Sequence, residues 1–90
     1  MFGDLLAQFE DETVAAEALL SLDDLVLVAR VQEAAARAGL DAGAFAAASV
    51  GRFVNGASDE DWLGLLGAVS RAEDPSAAFL RRVLAREIAA

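Results

Sequence analysis

The fold of this chain is constrained most strongly by a signal for helix starts that recurs along it. Ser21, Asp41, Ser58 and Asp74 each stand just before a segment whose apolar residues recur every three or four positions. Serine and aspartate at such places accept hydrogen bonds from the first free amide groups of a helix. Asp74 is also followed by proline, which is favoured at the first helical position. The signal therefore predicts an all-α fold.

The connections between these segments are only a few residues long, which favours a compact bundle of short-to-medium helices joined by tight turns. The predicted helices cover roughly 4–20, 22–38, 42–55, 59–73 and 75–89. Within the first range, an acidic run at 10–12 offers Asp11 or Thr13 as a point where the helix restarts. Ninety residues lie near the small end of chains that fold around one core, so we expect a single helical domain over 1–90.

Several boundaries carry a second local signal. Ser21 is followed three residues later by Asp24, and Ser58 is followed by Asp61, which resembles a capping box with the shorter acid in place of glutamate. Gly39 is well placed to end the second helix in a left-handed conformation. These signals predict that Ser21 and Ser58 are helix N-caps.

The residue types that are missing argue against catalysis. The chain has no histidine, cysteine, tyrosine or lysine. It therefore lacks the usual general base near neutral pH, the thiol nucleophile, the Schiff-base amine and the phenolic acid. Nitrogen and sulfur ligands for metals are absent as well. We expect a non-enzymatic protein with no catalytic residue, no metal site and no cofactor.

The charge of the chain limits the partners it can bind. The formal net charge is −8, with nine acids and two arginines in residues 1–45 and six acids and five arginines in residues 46–90. Such a surface repels nucleic acid and anionic membranes, because both are bound through basic residues. No segment has the roughly 18 apolar residues of a membrane span, and the acidic N-terminal segment does not resemble a secretory signal. The expectation is a cytoplasmic protein whose partners are basic or apolar proteins.

An unusually apolar helix start points to an interface. The run "LVLV" at 25–28 presents apolar side chains all the way round the predicted second helix. Packing against a single neighbouring helix would cover only one side of it. In the fourth helix, Trp62 has helical spacing to Leu65, Leu66 and Val69, which favours a core position first and a contact surface second. Nearby glycines would allow a close approach of another backbone. The hypothesis is an interaction module that forms a homodimer, with these interface candidates: Leu25, Val26, Leu27, Val28, Trp62, Gly64 and Gly67.

One alternative is a carrier domain. The segment "SLDDLVLVARVQE" at 21–33 resembles the start of the second helix in acyl and peptidyl carrier proteins. That resemblance implies a phosphopantetheine group on Ser21, placed at a helix N-terminus that favours the attached phosphodiester. It covers about thirteen residues, and Leu20 stands where the family has aspartate.

A second alternative is a bundle that binds a small apolar ligand between its helices. The aromatic residues available to line such a pocket are Phe45, Phe53, Trp62 and Phe79.

Overall fold

Each of the five helices whose bounds are described begins where a polar side chain accepts a hydrogen bond from an amide group of its first turn. The computed structural model describes residues 7–9 and 11–89, and the helices with defined bounds there are α1 (Glu12–Ser21), α2 (Leu25–Arg37), α3 (Ala42–Gly56), α4 (Asp59–Arg71) and α5 (Pro75–Ala89). Residues 7–9 are also helical. No strand occurs among the described residues, and the prediction of an all-α bundle is confirmed.

Aspartate is the main capping residue. The Asp11 carboxylate accepts hydrogen bonds from the amides of Thr13 and Val14, so the predicted helix over 4–20 restarts at Asp11. Its first residues, 4–6, lie outside the described part. Asp41 and Asp74 each accept from the amide three residues later, as predicted. These caps are set by side chains within one turn of the chain, which is why the sequence reveals them.

The Ser58 cap is confirmed in full. The Ser58 hydroxyl accepts from the Asp61 amide, while the Asp61 carboxylate accepts from the Ser58 amide, both at 3.1 Å. This reciprocal pair is a capping box in which aspartate replaces the usual glutamate. Two free donors at the start of α4 are satisfied at once.

The turn between α2 and α3 follows its predicted form. Gly39 has a φ of 73°, in the left-handed region that glycine adopts without a steric penalty. The Leu40 amide donates to the Ala35 carbonyl at 2.9 Å and the Gly39 amide donates to Ala36 at 3.1 Å. This pair of bonds is the Schellman motif, which satisfies carbonyls at the end of α2.

Two predicted boundaries need correction. The second helix begins at Leu25 instead of residue 22, because Leu22 turns into the core with extended backbone angles and only 5% of its surface exposed. The fourth helix ends at Arg71 instead of residue 73, because Ala72 is extended and Asp74 must be free to cap α5. At the first boundary the extended backbone places Leu22 in the core. At the second it leaves Asp74 outside the helix, where its carboxylate caps α5.

Helices α3 and α5 form the centre of the molecule. Helix α3 packs against α1, α2 and α5, and α5 packs against all four other helices, whereas α4 packs mainly on α5. The buried apolar side chains form one cluster: Phe9, Ala15, Leu19, Leu22, Leu27, Val31, Ala35, Phe45, Ala46, Val50, Phe53, Leu65, Phe79, Leu80, Val83 and Leu84. Only Leu65 of this core comes from α4.

The contact between α1 and α3 is close enough to require a glycine. A Cβ atom placed on Gly43 would lie 2.6 Å from the Glu12 carbonyl oxygen and 2.9 Å from the Ala16 Cβ. Both neighbours belong to α1, and the first is backbone. The two helices therefore meet directly through their main chains at this point.

Candidate functional site

The most unusual surface of this protein is the junction of α1 and α2, which we call the apolar corner and define by Leu20, Leu25 and Val26. These side chains are 84%, 86% and 65% exposed. The buried Leu22 lies between them in sequence and anchors the junction to the core. Because Leu22 is fixed inside, the flanking apolar residues on the last turn of α1 and the first turn of α2 are held out in solvent.

Ser21 does not start a helix, so its predicted capping role is wrong. It is the last residue of α1, and its hydroxyl donates to the Glu17 carbonyl oxygen at 3.2 Å. The cap of α2 is Asp24, whose carboxylate accepts from the Leu27 amide at 3.1 Å. Burial of Leu22 in extended conformation delays the helix by three residues, and the second acidic residue of the junction then takes the capping position.

This geometry does not fit the carrier-domain alternative. A carrier serine would lie at a helix N-terminus, where the positive end of the helix dipole stabilises a phosphodiester. Ser21 lies at the C-terminal end of α1, where the dipole is negative. The residues around Ser21 therefore do not provide the electrostatic setting that the resemblance implies.

The interface candidates at the start of α2 divide into two pairs. Leu25 and Val26 are exposed, as a contact surface requires. Leu27 is 8% exposed and belongs to the core, and Val28 is half-buried against it. In the folded chain Leu25 and Val26 are thus accessible to a partner, whereas Leu27 and Val28 pack within the molecule.

The candidates on α4 are occupied by contacts within the chain. Trp62 is half-buried, and its ring meets Phe53 edge-on with ring centroids 4.9 Å apart. A Cβ on Gly64 would lie 2.7 Å from the Arg82 guanidinium, and one on Gly67 would lie 3.5 Å from that of Arg71. Arginine side chains of the same molecule therefore lie over these two glycines.

The sequence did not reveal the exposure of five further large apolar residues. They are Leu20 (84% exposed), Leu63 (70%), Leu66 (45%), Leu40 (42%) and Val54 (38%). Apolar periodicity shows which residues lie on one stripe but not how far that stripe extends around the helix. No local signal distinguishes the exposed leucines of α4 from the buried Leu65.

The start of α4 carries a carboxyl group, that of Asp61, whose pKa is shifted by its neighbours. Hydrogen bonds from the Ser58 amide and then from Arg86 lower the pKa of Asp61 below its ordinary value of 3.8. The Arg86 guanidinium lies 3.0 Å from the Asp61 carboxylate and 5.3 Å from the centre of the Phe53 ring. The arrangement joins α3, α4 and α5 and pairs the charges of Asp61 and Arg86 with each other.

The aromatic residues of the ligand-pocket alternative lie mostly inside the core. Phe79, Phe53 and Phe45 are 0%, 2% and 7% exposed. Phe79 stacks on Phe9 with centroids 5.5 Å apart. Phe53 touches one shallow surface groove beside Arg82 and Arg86. These rings pack against one another and against aliphatic side chains, which is the usual arrangement of a bundle interior.

Neither a metal site nor a membrane-spanning helix is found among the described residues. Within residues 7–9 and 11–89, no group of three or more acidic side chains is arranged to hold a metal ion. None of the helices in this part of the chain combines the length and the hydropathy needed to cross a bilayer.

Comparison with known proteins adds no relative: no protein-family model, curated protein or solved structure matches this chain.

Proposed function

We propose that this protein is a non-enzymatic interaction module that forms homo-oligomers through the apolar corner. The observation that carries the proposal is the exposure of three large apolar side chains at one helix junction. Removing such a side chain from water stabilises a complex by about 1.5–3 kcal/mol when it is fully buried. Three exposed large apolar residues at one helix junction, two of them the most exposed of the described large apolar residues, are typical of a protein contact surface.

The charges around the corner support a selective contact. Residues 11–29 include five acids and no basic residue. Glu17 and Asp23 are exposed beside Leu20 and Leu25 in the sequence. Acidic residues around an apolar centre favour a basic partner surface and reject an acidic one, and they speed the encounter more than they strengthen the final complex. The apolar side chains supply the affinity and the carboxylates supply the selection.

The experiment is a mass measurement by light scattering at tens of micromolar, with Leu25→Glu as the disrupting variant. Leu25 is the first residue of α2, where a carboxylate suits the helix dipole, so the variant is expected to remain folded. We expect the wild type to give a multiple of 9.3 kDa and the variant to give the monomer mass.

Ala36→Glu is the matched control. Ala36 is exposed on the same helix and lies about 16 Å along its axis from Leu25. Ala36→Glu adds the same charge as Leu25→Glu but lies away from the corner, so this variant should keep the wild-type mass. A monomeric wild type, or equal dissociation by both variants, contradicts the proposal.

A further inference from the structure

A second surface of the molecule has the opposite charge. An open groove of about 390 Å³ lies between helices α4 and α5, and we call it the alanine groove. Its lining residues are Ala68, Ala72, Ala78, Arg81, Arg82 and Ala85. Its walls are methyl groups and arginine side chains, and no acidic residue lines it. Small side chains on both helices let another protein approach closely.

Two guanidinium groups give this groove its charge. Arg81 and Arg82 are exposed, and neither lies within 4 Å of a carboxylate in the described part of the chain. The third arginine of α5, Arg86, is paired with Asp61, and Arg52 of α3 is paired with Glu87 of α5. The positive charge of α5 is therefore concentrated at the groove.

The apolar corner offers the complementary surface. It presents three exposed apolar side chains together with the carboxylates of Glu17 and Asp23. Arg30 is the first basic residue after the corner, and it lines a different depression with Glu33, Arg37 and Ile88. The corner is thus acidic and apolar, whereas the groove is basic and apolar.

One molecule cannot bring these two surfaces together. The buried residues of α5, among them Phe79 and Val83, face the core that α1 and α2 share. At 3.6 residues per turn, Arg81 and Ala85 lie on the opposite side of α5. Helix α4, the other wall of the groove, packs mainly on α5 and not on α1 or α2. The groove therefore lies on the side of α5 turned away from the core, and no residue of α1 or α2 lines it.

We infer that the apolar corner of one molecule docks into the alanine groove of a second copy of this chain. The inference rests on the proposed function and names its partner surface. A symmetric contact of corner with corner would bring two acidic surfaces together, with Glu17 and Asp23 contributed by each copy, and like charges brought together at an interface cost several kcal/mol. Contact of corner with groove replaces that repulsion with attraction.

Such a contact is heterologous, because the two surfaces that meet are different. Each molecule has one corner and one groove, so it can bind two neighbours. The assembly then grows head to tail or closes into a ring.

Mixing two variants tests the inference. Leu25→Glu impairs the corner and leaves the groove intact, and the double variant Arg81→Glu/Arg82→Glu impairs the groove and leaves the corner intact. We expect each variant alone to give the monomer mass of 9.3 kDa, and an equimolar mixture to give a complex of twice that mass. Far-UV circular dichroism checks that each variant is folded, and Arg81→Gln/Arg82→Gln replaces the glutamate pair if that pair unfolds.

The outcomes separate the two proposals. If the groove variant assembles as the wild type does while Leu25→Glu is monomeric, the groove is not the partner surface, although the corner still mediates association. If both variants are monomeric and their mixture is monomeric too, the heterologous contact is excluded. If the wild type itself is monomeric, the proposed function fails. Raising the salt concentration from about 0.05 M to about 0.5 M should increase the dissociation constant of the mixed complex about tenfold or more, because the exposed charges are then screened.

Discussion

Two glycines show how differently α3 and α4 are held in this protein. A Cβ on Gly43 of α3 would lie 2.6 Å from a backbone carbonyl oxygen of α1, and a Cβ on Gly64 of α4 would lie 2.7 Å from the Arg82 guanidinium. The distances are nearly equal, but the backbone of α1 can shift only by disturbing its packing on α3, whereas the end of an exposed arginine moves at little cost. Helix α3 is thus a fixed element of the core, and α4 is an outer helix held by side chains.

The largest expected effect is on the core side of this comparison. Phe53 lies on α3, is 2% exposed and contacts both Trp62 and Arg86. Phe53→Ala should lower the free energy of unfolding by about 3–5 kcal/mol, since it removes a buried ring and leaves a cavity. Chemical denaturation measures the loss. Leu63→Ala on the outer face of α4 is the control and should change stability by no more than about 0.5 kcal/mol. Equal losses would show that α4 is as deeply packed as α3.

The same substitution at the two glycines tests the comparison directly. Gly43→Ala should destabilise the protein by about 1–3 kcal/mol, because the new methyl group overlaps the backbone of α1. Gly64→Ala should be neutral or stabilise by up to about 1 kcal/mol, because Arg82 moves aside and alanine favours the helix. Thermal denaturation of both variants gives the two signs.

Gly51→Ala separates these effects from helix propensity. Gly51 lies in α3 with nothing within 4 Å of its Cβ position. Gly51→Ala should therefore raise the free energy of unfolding by about 0.5–1 kcal/mol through helix propensity alone. If Gly43→Ala gave the same gain, the close contact of α1 with α3 would be disproved.

A smaller effect is expected at the start of α4. Ser58→Ala removes the hydroxyl that accepts from the Asp61 amide and should cost about 1 kcal/mol. Ser70→Ala, in the same helix, removes only an exposed bond to the Gly67 carbonyl and should cost less than about 0.5 kcal/mol. Denaturant midpoints compare the two. A loss at Ser58 no greater than at Ser70 would mean that packing on α5 alone holds this end of α4.

The smallest effect concerns pH. The pKa of Asp61 is lowered in the folded state, so its ionised form stabilises the fold above the ordinary carboxyl value of 3.8, and this contribution is lost as the pH falls through the lowered value. The difference in stability between the wild type and Asp61→Asn should be constant near neutral pH and shrink below about pH 4. Unfolding curves from pH 7 to pH 2 measure it. A difference that does not change with pH would assign the role of Asp61 to its shape and not to its charge.

The parts of the fold that depend on neighbouring residues were predictable. Asp41, Ser58 and Asp74 cap their helices, and Gly39 ends α2, because each acts within one turn of its own position. The start of α2 was not predictable in this way. Both Ser21 and Asp24 are suitable caps, and burial of Leu22, a contact with distant residues, decides between them.

The candidate site shows the same division. The apolar excess at 25–28 was visible in the sequence, but only the packing of α2 shows that Leu25 and Val26 face solvent while Leu27 faces the core. Leu20 completes the corner only because α1 ends beside the start of α2. The alanine groove depends on Arg81 and Arg82 lying next to α4, for which the sequence holds no local signal.

The sequence by itself determined the class of fold and most of its helix ends, because capping, helix propensity and three- and four-residue spacing act between residues close in the chain. The tertiary structure decided which apolar residues are left exposed and which charges surround them. A bundle has a limited interior, and residues from all the helices compete for it. That competition assigned Leu22 and Leu65 to the core, and it left Leu25 and Leu63 in solvent.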